Sequence, residues 1–320
     1  MEKKAFVIGC GRWGSFIAWY LNHININTTL YGRENSKNFN MLKSTRSNSY
    51  LKLDDNIKLT SSLNDSKLYD YIFISISSQN LQNLMNELSA INLSDKTIIL
   101  CMKGIEIQTG KRLSQIASDT LNKSNKVAVW LGPGHVQSFI SGIPNCMVID
   151  SNDEKVKYEL VDLLSSKLIR LYYGCDLIGN EIGGAAKNVI GIAAGMLDGL
   201  KLTSLKGPLM ARGPKEISTL IETLGGNPIS AYGLCHLGDY EATLFSKNSH
   251  NREFGERFVL NESFDSLAEG YYTIKALHNI SIKYNLPLPI SNALYDILFD
   301  KKNVKDTIYK LFDRSIKREF

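Results

Sequence analysis

Nothing in this 320-residue chain approaches the run of about 18 apolar residues that a membrane-spanning helix requires. Cysteine is sparse. The five present, Cys10, Cys101, Cys146, Cys175 and Cys235, are odd in number, far apart and free of any C-x-x-C pairing. That excludes a disulfide framework and a structural zinc site, and makes buried free thiols the expectation. No segment recurs at a fixed period, so solenoids and propellers are excluded. Charge is equally unspecialised: 37 Lys+Arg against 32 Asp+Glu leave +5, without the dense basic stripe of a nucleic-acid surface. A small anionic ligand fits this balance better. The opening residues, MEKKAFVI, run straight into a strand pattern with no apolar signal core or small-residue cleavage site, so the expectation is a soluble, cytoplasmic protein. At 43% hydrophobic and 22% charged the chain can build ordinary cores, and its length favours two domains.

Short β-branched runs alternate with helical periodicity through the first half. Ala5 to Ile8, Thr28 to Tyr31, Tyr69 to Ile76, Thr97 to Met102 and Val127 to Leu131 are nearly continuous apolar strands, each leading into a loop signal. Such strands suit a parallel sheet covered on both faces. Helical spacing lies between them, as in Phe16-Ile17 with Tyr20-Leu21, and Leu81 with Leu84-Met85 and Leu88. This is a doubly wound α/β domain, and Cys146 to Ile149 and Leu168 to Tyr173 add two strands that finish it near Gly174. From Asp176 the pattern turns helical: a small-residue segment to about Leu200, then Pro208 to Leu224, Ser263 to Tyr284 and Ile290 to Phe312, with Pro214 in a first turn or a kink. The expected organisation is residues 1–174 as a dinucleotide-binding domain and 175–320 as a helical domain carrying substrate and catalysis.

Chemistry concentrates where strands end. Gly9-Cys10-Gly11-Arg12-Trp13-Gly14 is G-x-G-x-x-G directly after a strand and opening a helix. Gly9 permits the tight turn, Gly11 lets a pyrophosphate approach the backbone and Gly14 lets helix pack on strand, while the helix N-terminal amides face the negative charge. The acidic residue that would hold the ribose 2′-hydroxyl of NAD is missing after the second strand, where Tyr31-Gly32-Arg33 stands. A guanidinium pairs with a 2′-phosphate, so NADP is permitted as well as NAD, with Glu34 as an alternative ribose contact. Lys103-Gly104 places an ammonium at the end of another strand, and Gly132-Pro133-Gly134-His135 follows the next.

In the segment Glu181 to Gly195 one lysine, Lys187, lies inside a helix of small and apolar residues. Burying an ammonium is costly unless it is paired, and desolvation moves a lysine toward the range useful for proton transfer. Asn188 and Glu181 are candidates to anchor the same polar cluster, and Gly238-Asp239-Tyr240 supplies a carboxylate further on. Ser249-His250-Asn251-Arg252 is a compact donor set able to cradle a phosphate.

Taken in order, Gly9 to Gly14, Lys103-Gly104-Ile105-Glu106, Gly132-Pro133, Gly183 to Gly199 around Lys187, Gly238-Asp239, Asn251-Arg252 with Phe254-Gly255, Ala268-Glu269-Gly270 and Leu286 to Ile290 make a chain that resembles the NAD(P)-dependent glycerol-3-phosphate dehydrogenases of bacterial type. The resemblance covers nearly the whole sequence. It implies an N-terminal Rossmann domain with a mainly parallel sheet, an all-α C-terminal domain, and an active site in the cleft between them. The implied reaction interconverts dihydroxyacetone phosphate and sn-glycerol 3-phosphate with NADP(H) or NAD(H) and no metal, and supplies glycerophospholipid synthesis. By matching motif, Lys187 would be the proton donor and acceptor, with Asp239 in support. Lys103 would touch cofactor and substrate, Gly132 and Gly134 would border the substrate, and Ser249, His250 and Asn251 would hold its phosphate. Gly9, Gly11, Arg12, Trp13, Gly14, Arg33, Val136, His250, Leu267 and Glu269 would line the cofactor site.

The family pattern usually has Ser or Ala at Arg12, Ser or Thr at Gly134, Ala at Val136, Arg at His250, and Pro in the loop of Ser77-Ser78. His250 matters most, because a neutral imidazole cannot repeat a bidentate guanidinium contact; Arg252 is the candidate to compensate. The implied partners are a small phosphate substrate, no nucleic acid and no membrane insertion, and a homodimer is compatible with them. Two other readings stay open: a two-domain reductase acting on another small keto or hydroxy acid, and a non-catalytic NADP(H) sensor.

Overall fold

The computed structural model describes residues 3–316 together with 318 and 319. The chain forms two compact units, Met1–Lys103 with Lys111–Glu181, and Gly104–Gly110 with Ile182–Phe320. The division falls at 181/182 rather than at 174/175. Asn180, in the first turn of the long helix that follows, donates to the buried Asp150 carboxylate at 2.8 Å, and Glu181 accepts from the Ser114 backbone N–H at 2.8 Å, so that turn stays with the first unit.

In the first unit eight strands, β1 (Lys4–Ile8), β2 (Asn27–Tyr31), β3 (Lys58–Thr60), β4 (Tyr71–Ile74), β5 (Thr97–Leu100), β6 (Lys126–Leu131), β7 (Asn145–Ser151) and β8 (Ile169–Tyr173), form one sheet in the order β3-β2-β1-β4-β5-β6-β7-β8. All pairs are parallel except β6 with β7. Successive residues Phe6 and Val7, Ile72 and Phe73, and Ile98 and Ile99 are fully buried although they point to opposite faces. That double burial is why these runs are apolar without alternation. Helices α1 (Arg12–His23), α2 (Lys37–Thr45), α3 (Leu81–Ala90), α4 (Leu113–Thr120), α5 (Val136–Ile140) and α6 (Glu154–Leu164) connect the strands. β3 has no counterpart in the sequence pattern, because its one apolar residue, Leu59, becomes a strand residue only by pairing with Leu30 of β2. The strand runs read from Tyr69 to Ile76 and from Thr97 to Met102 shorten to β4 and β5, since the chain leaves the sheet there for the loops that carry polar residues.

Helix α7 (Leu177–Gly199) runs from the first unit into the second, where α8 (Lys206–Thr223), α9 (His250–Leu260), α10 (Glu269–Tyr284), α11 (Pro289–Leu298) and α12 (Val304–Lys310) follow. The small residues of α7 are explained by α9. A Cβ at Gly195 would stand 1.9 Å from the Arg252 carbonyl oxygen, and one at Gly255 would stand 2.1 Å from the Ile192 carbonyl oxygen, so the two backbones touch. Three readings change. The polar string at 249–252 is a helix start, with Ser249 capping the Arg252 N–H at 3.3 Å. The helix expected from Ser263 begins at Glu269, because residues 261–267 are mostly exposed and bury no stripe. The segment 290–312 is two helices, separated where Lys301 turns left-handed (φ 55°) and Asn303 caps α12 at the Asp306 N–H. Pro214 lies in the interior of α8. Among the cysteines, Cys10, Cys101 and Cys235 are buried free thiols, whereas Cys175 is exposed. Among the described residues, no helix is long and apolar enough to cross a membrane.

Candidate active site

Because β1, β2, β4, β5 and β6 run in the same direction, their C-terminal ends share one edge of the sheet. The strand order reverses between β1 and β4, the position where doubly wound sheets leave a ligand crevice. The glycine-rich turn stands there. Gly9 (φ 114°) would carry a Cβ only 2.1 Å from the Ser75 carbonyl oxygen at the end of β4, and Gly14 one only 1.9 Å from the Gly9 carbonyl oxygen. Substitution at either would push helix and strands apart. Gly11 differs. It is the N-cap of α1 with no side-chain cap, and a Cβ there would meet nothing within 4 Å. Open space before uncapped helix amides fits a dinucleotide pyrophosphate.

The neighbours of this turn are held from within the same unit. Arg12 lies with its guanidinium 5.3 Å from the Tyr50 ring centre. Trp13 packs at 5.0 Å on Phe16 and 6.3 Å on Phe139. Asn48, which the sequence reading missed, donates to the Ser15 hydroxyl at 2.8 Å and accepts from the Tyr50 N–H at 2.9 Å, fastening the loop after α2 to the glycine turn. Arg33, just past β2, is half exposed and 3.4 Å from Glu87, while Glu34 accepts from Ser61 at 3.2 Å. After β5, Lys103 donates to the Gly132 carbonyl at 2.7 Å, linking the two loops singled out after β5 and β6. A Cβ on Gly134 would lie 2.4 Å from the Phe139 ring, and Val136 is buried as the first residue of α5. The other predicted residues, Lys187, Asp239, Ser249, His250, Asn251, Leu267 and Glu269, belong to the helical unit.

There the lysine has its carboxylate. Lys187 Nζ is 3.0 Å from Asp239 Oδ2, the lysine side chain 11% exposed and the aspartate 1%. Thr243, a further residue absent from the sequence reading, accepts from Lys187 Nζ at 2.7 Å and donates its own hydroxyl proton to the Asp239 carbonyl at 2.7 Å. It stands four residues after Asp239 on a single π turn, Glu241–Phe245, a distortion that often accompanies function. Its signal in the sequence is only that i+4 spacing. Around the pair, His236 is fully buried, its Nδ1 2.9 Å from the Gly183 carbonyl and its Nε2 2.8 Å from the Tyr240 hydroxyl. Burial lowers its pKa to about 4, against the raising effects of the Gly183 carbonyl and Asp239, so the ring is neutral near pH 7.

Two expected roles are corrected. Glu181 does not join the Lys187 cluster: its carboxylate takes the Ser114 N–H and hydroxyl at 2.8 and 2.6 Å together with the Arg112 guanidinium. Burial raises its pKa. Arg252 is not placed to replace a phosphate-binding arginine at position 250, because it pairs with Asp198 and Glu256 at 2.9 Å each and donates to the Ser246 carbonyl at 3.2 Å. Asn251 bridges three helices, donating to Asn188 Oδ1 at 3.0 Å and accepting from the Gly270 N–H at 2.9 Å. His250, on the first turn of α9, meets the Phe264 ring edge-on at 6.4 Å. Leu267 is exposed, and Glu269 is the first residue of α10. Among the described residues, no cluster of His, Cys, Asp or Glu could hold a metal ion.

Known proteins are similar to this chain from end to end. Residues 4–157 match the family described as NAD-dependent glycerol-3-phosphate dehydrogenase N-terminus, and residues 176–309 match NAD-dependent glycerol-3-phosphate dehydrogenase C-terminus. The chain is 32% identical to the glycerol-3-phosphate dehydrogenase [NAD(P)+] of Staphylococcus haemolyticus, over 99% of each chain. It is 33% identical to the protein of that name from Clostridium botulinum, over 100% of this chain and 99% of the other. A crystal structure of glycerol-3-phosphate dehydrogenase from Coxiella burnetii superposes with a TM-score of 0.91 over 98% of this chain and 99% of that one, at 24% identity, and so shares the fold. With both halves matched in order around the glycine turn and the buried lysine, the chain belongs to the NAD-dependent glycerol-3-phosphate dehydrogenase family.

Proposed function

We propose that this protein reduces dihydroxyacetone phosphate to sn-glycerol 3-phosphate with NADPH or NADH, reversibly, and that Lys187 is its general acid and base. The carrying observation is the buried Lys187–Asp239 pair with Thr243 across it. A protein that only sensed the dinucleotide would need no such proton-handling group. When bound, the reduced nicotinamide supplies a hydride to C2 of the ketone. As the C2 oxygen gains charge it takes a proton from the Lys187 ammonium, and the amine recovers one from solvent. Ketone, hydride and proton together make the alcohol. Asp239 keeps the lysine charged until transfer, and Thr243 fixes the direction of an otherwise flexible side chain. In the reverse direction the neutral amine accepts the hydroxyl proton.

The remaining roles belong to the same proposal. Lys103, Gly132 and Gly134 would border substrate, Ser249, His250 and Asn251 would face its phosphate, and Arg12, Trp13, Arg33, Val136, His250, Leu267 and Glu269 would face the cofactor. Arg33 supports NADPH use. Its pair with Glu87 is solvent-exposed and worth about 0–1 kcal/mol, so a 2′-phosphate can displace it.

The test is the loss of NADPH absorbance on adding dihydroxyacetone phosphate, compared with a panel of 2-keto acids. Lys187→Ala should lower kcat by roughly 10²–10⁴-fold and leave the NADPH dissociation constant unchanged. Near wild-type turnover in that variant removes Lys187 from the chemistry, and faster reaction with a 2-keto acid moves the substrate to that class.

A further inference from the structure

Beside the Lys187–Asp239 pair, the helical unit buries a second polar connection that the proposed chemistry does not use. His236 immediately precedes the turn Leu237–Asp239, and Tyr240 immediately follows it. Only a protonated ring nitrogen can donate to a carbonyl, so the 2.9 Å contact of His236 Nδ1 with the Gly183 oxygen makes the ring the Nδ1–H tautomer. Nε2 is then an acceptor, and the Tyr240 hydroxyl 2.8 Å away donates to it. The two rings also meet edge-on, centres 5.0 Å apart. Gly183 lies one helical turn before Lys187 on α7, so the bond anchors the aspartate's turn at the level of the lysine. At the other end there is no slack. A Cβ at Gly213 of α8 would fall 2.6 Å from the Tyr240 hydroxyl, and His236 and Tyr240 are 0% and 1% exposed.

We propose that His236 and Tyr240 are a positioning pair: flanking Asp239 in the chain and bonded to Gly183 of α7, they set the separation and orientation of the Asp239 carboxylate relative to Lys187. This rests on the role given to Lys187 above. The bond polarity is protected by charge state. His236 faces Asp239 and Lys187, Tyr240 faces Glu216 of α8, and burial keeps the imidazole neutral and raises the pKa of the phenol. Neither group changes protonation near neutral pH, so the donor and acceptor directions persist.

The experiment is Tyr240→Phe in the full chain, which deletes one hydroxyl and keeps the ring. Expected is a fall in kcat of roughly 10- to 100-fold, the scale on which small misplacement of a reacting group acts. The alkaline limb of kcat should move to lower pH, because an ammonium loses its proton more readily as its carboxylate recedes. KM for dihydroxyacetone phosphate and the NADPH dissociation constant should stay within about two-fold, since ground-state binding is untouched. In an Asp239→Asn background Tyr240→Phe should add almost nothing to the loss in kcat, as coupled sites are non-additive. Unchanged kcat and alkaline limb in Tyr240→Phe, or fully multiplicative losses in the double variant, overturn the proposal. Should Tyr240→Phe not fold, nitrogen NMR of wild-type His236 decides. A neutral Nδ1–H ring across roughly pH 5 to 8 supports the brace, and an Nε2–H ring or a titration in that range refutes it. Lys187→Ala separates the two readings: retained turnover there removes the general acid itself, whereas its loss with Tyr240→Phe unaffected removes only the positioning pair.

Discussion

Acidification should weaken this protein through His236 in a calculable way. The ring's ordinary value is 6.5, and burial lowers it to about 4 in the folded chain. Above pH 6.5 the imidazole is neutral in both folded and unfolded states, so it contributes nothing to the pH dependence. Below 6.5 the unfolded chain takes up a proton that the folded chain refuses, and stability falls with pH until the folded ring also protonates near 4. A gap of about 2.5 pH units at about 1.36 kcal/mol each comes to about 3 kcal/mol. Comparing the urea unfolding of wild type with that of His236→Asn, whose amide does not titrate, from pH 7 down to 4 isolates this effect. Asp150, Glu181 and Glu216, whose pKa values burial raises, titrate in both proteins and cancel in the difference. The variant should start less stable, having lost a buried ring, and the deficit should shrink by about 3 kcal/mol on the way to pH 4. A deficit that stays constant with pH would mean that His236 is hydrated or already charged in the folded protein, and the argument from its burial would fail.

Two more perturbations address the cofactor and the phosphate. Arg33→Asp should raise the Michaelis constant for NADPH by about ten-fold or more and leave that for NADH within about two-fold, since the guanidinium matters only to the 2′-phosphate; equal effects would place Arg33 away from that phosphate. His250→Arg should tighten dihydroxyacetone phosphate binding several-fold, because a guanidinium offers a fixed charge and a two-pronged donor set that an imidazole lacks. Equal Michaelis constants in the two proteins would make His250 a bystander, and the phosphate contact would then fall to other donors.

The glycine-rich turn and the buried lysine were legible in the sequence because their cause is local. Gly9 and Gly14 are glycine for the space around one turn, and a lone Lys187 among small residues marks itself by the cost of burying it. The strands β1, β2, β5 and β6 were legible for the same reason, since burial on both faces writes itself into consecutive residues. What tertiary structure decided is which polar groups meet. Glu181 sits six residues from Lys187 but bonds across the fold to Ser114, while Asp239 and Thr243, more than fifty residues on, take the lysine. Arg252 looked like a phosphate ligand until Asp198 and Glu256 appeared beside it, and His236 carried no pattern at all. β3 exists because β2 pairs with it. A periodicity records which face of an element is buried; it holds no information on the partner across the interface, and for hydrogen bonds and ion pairs the partner is the whole of the chemistry.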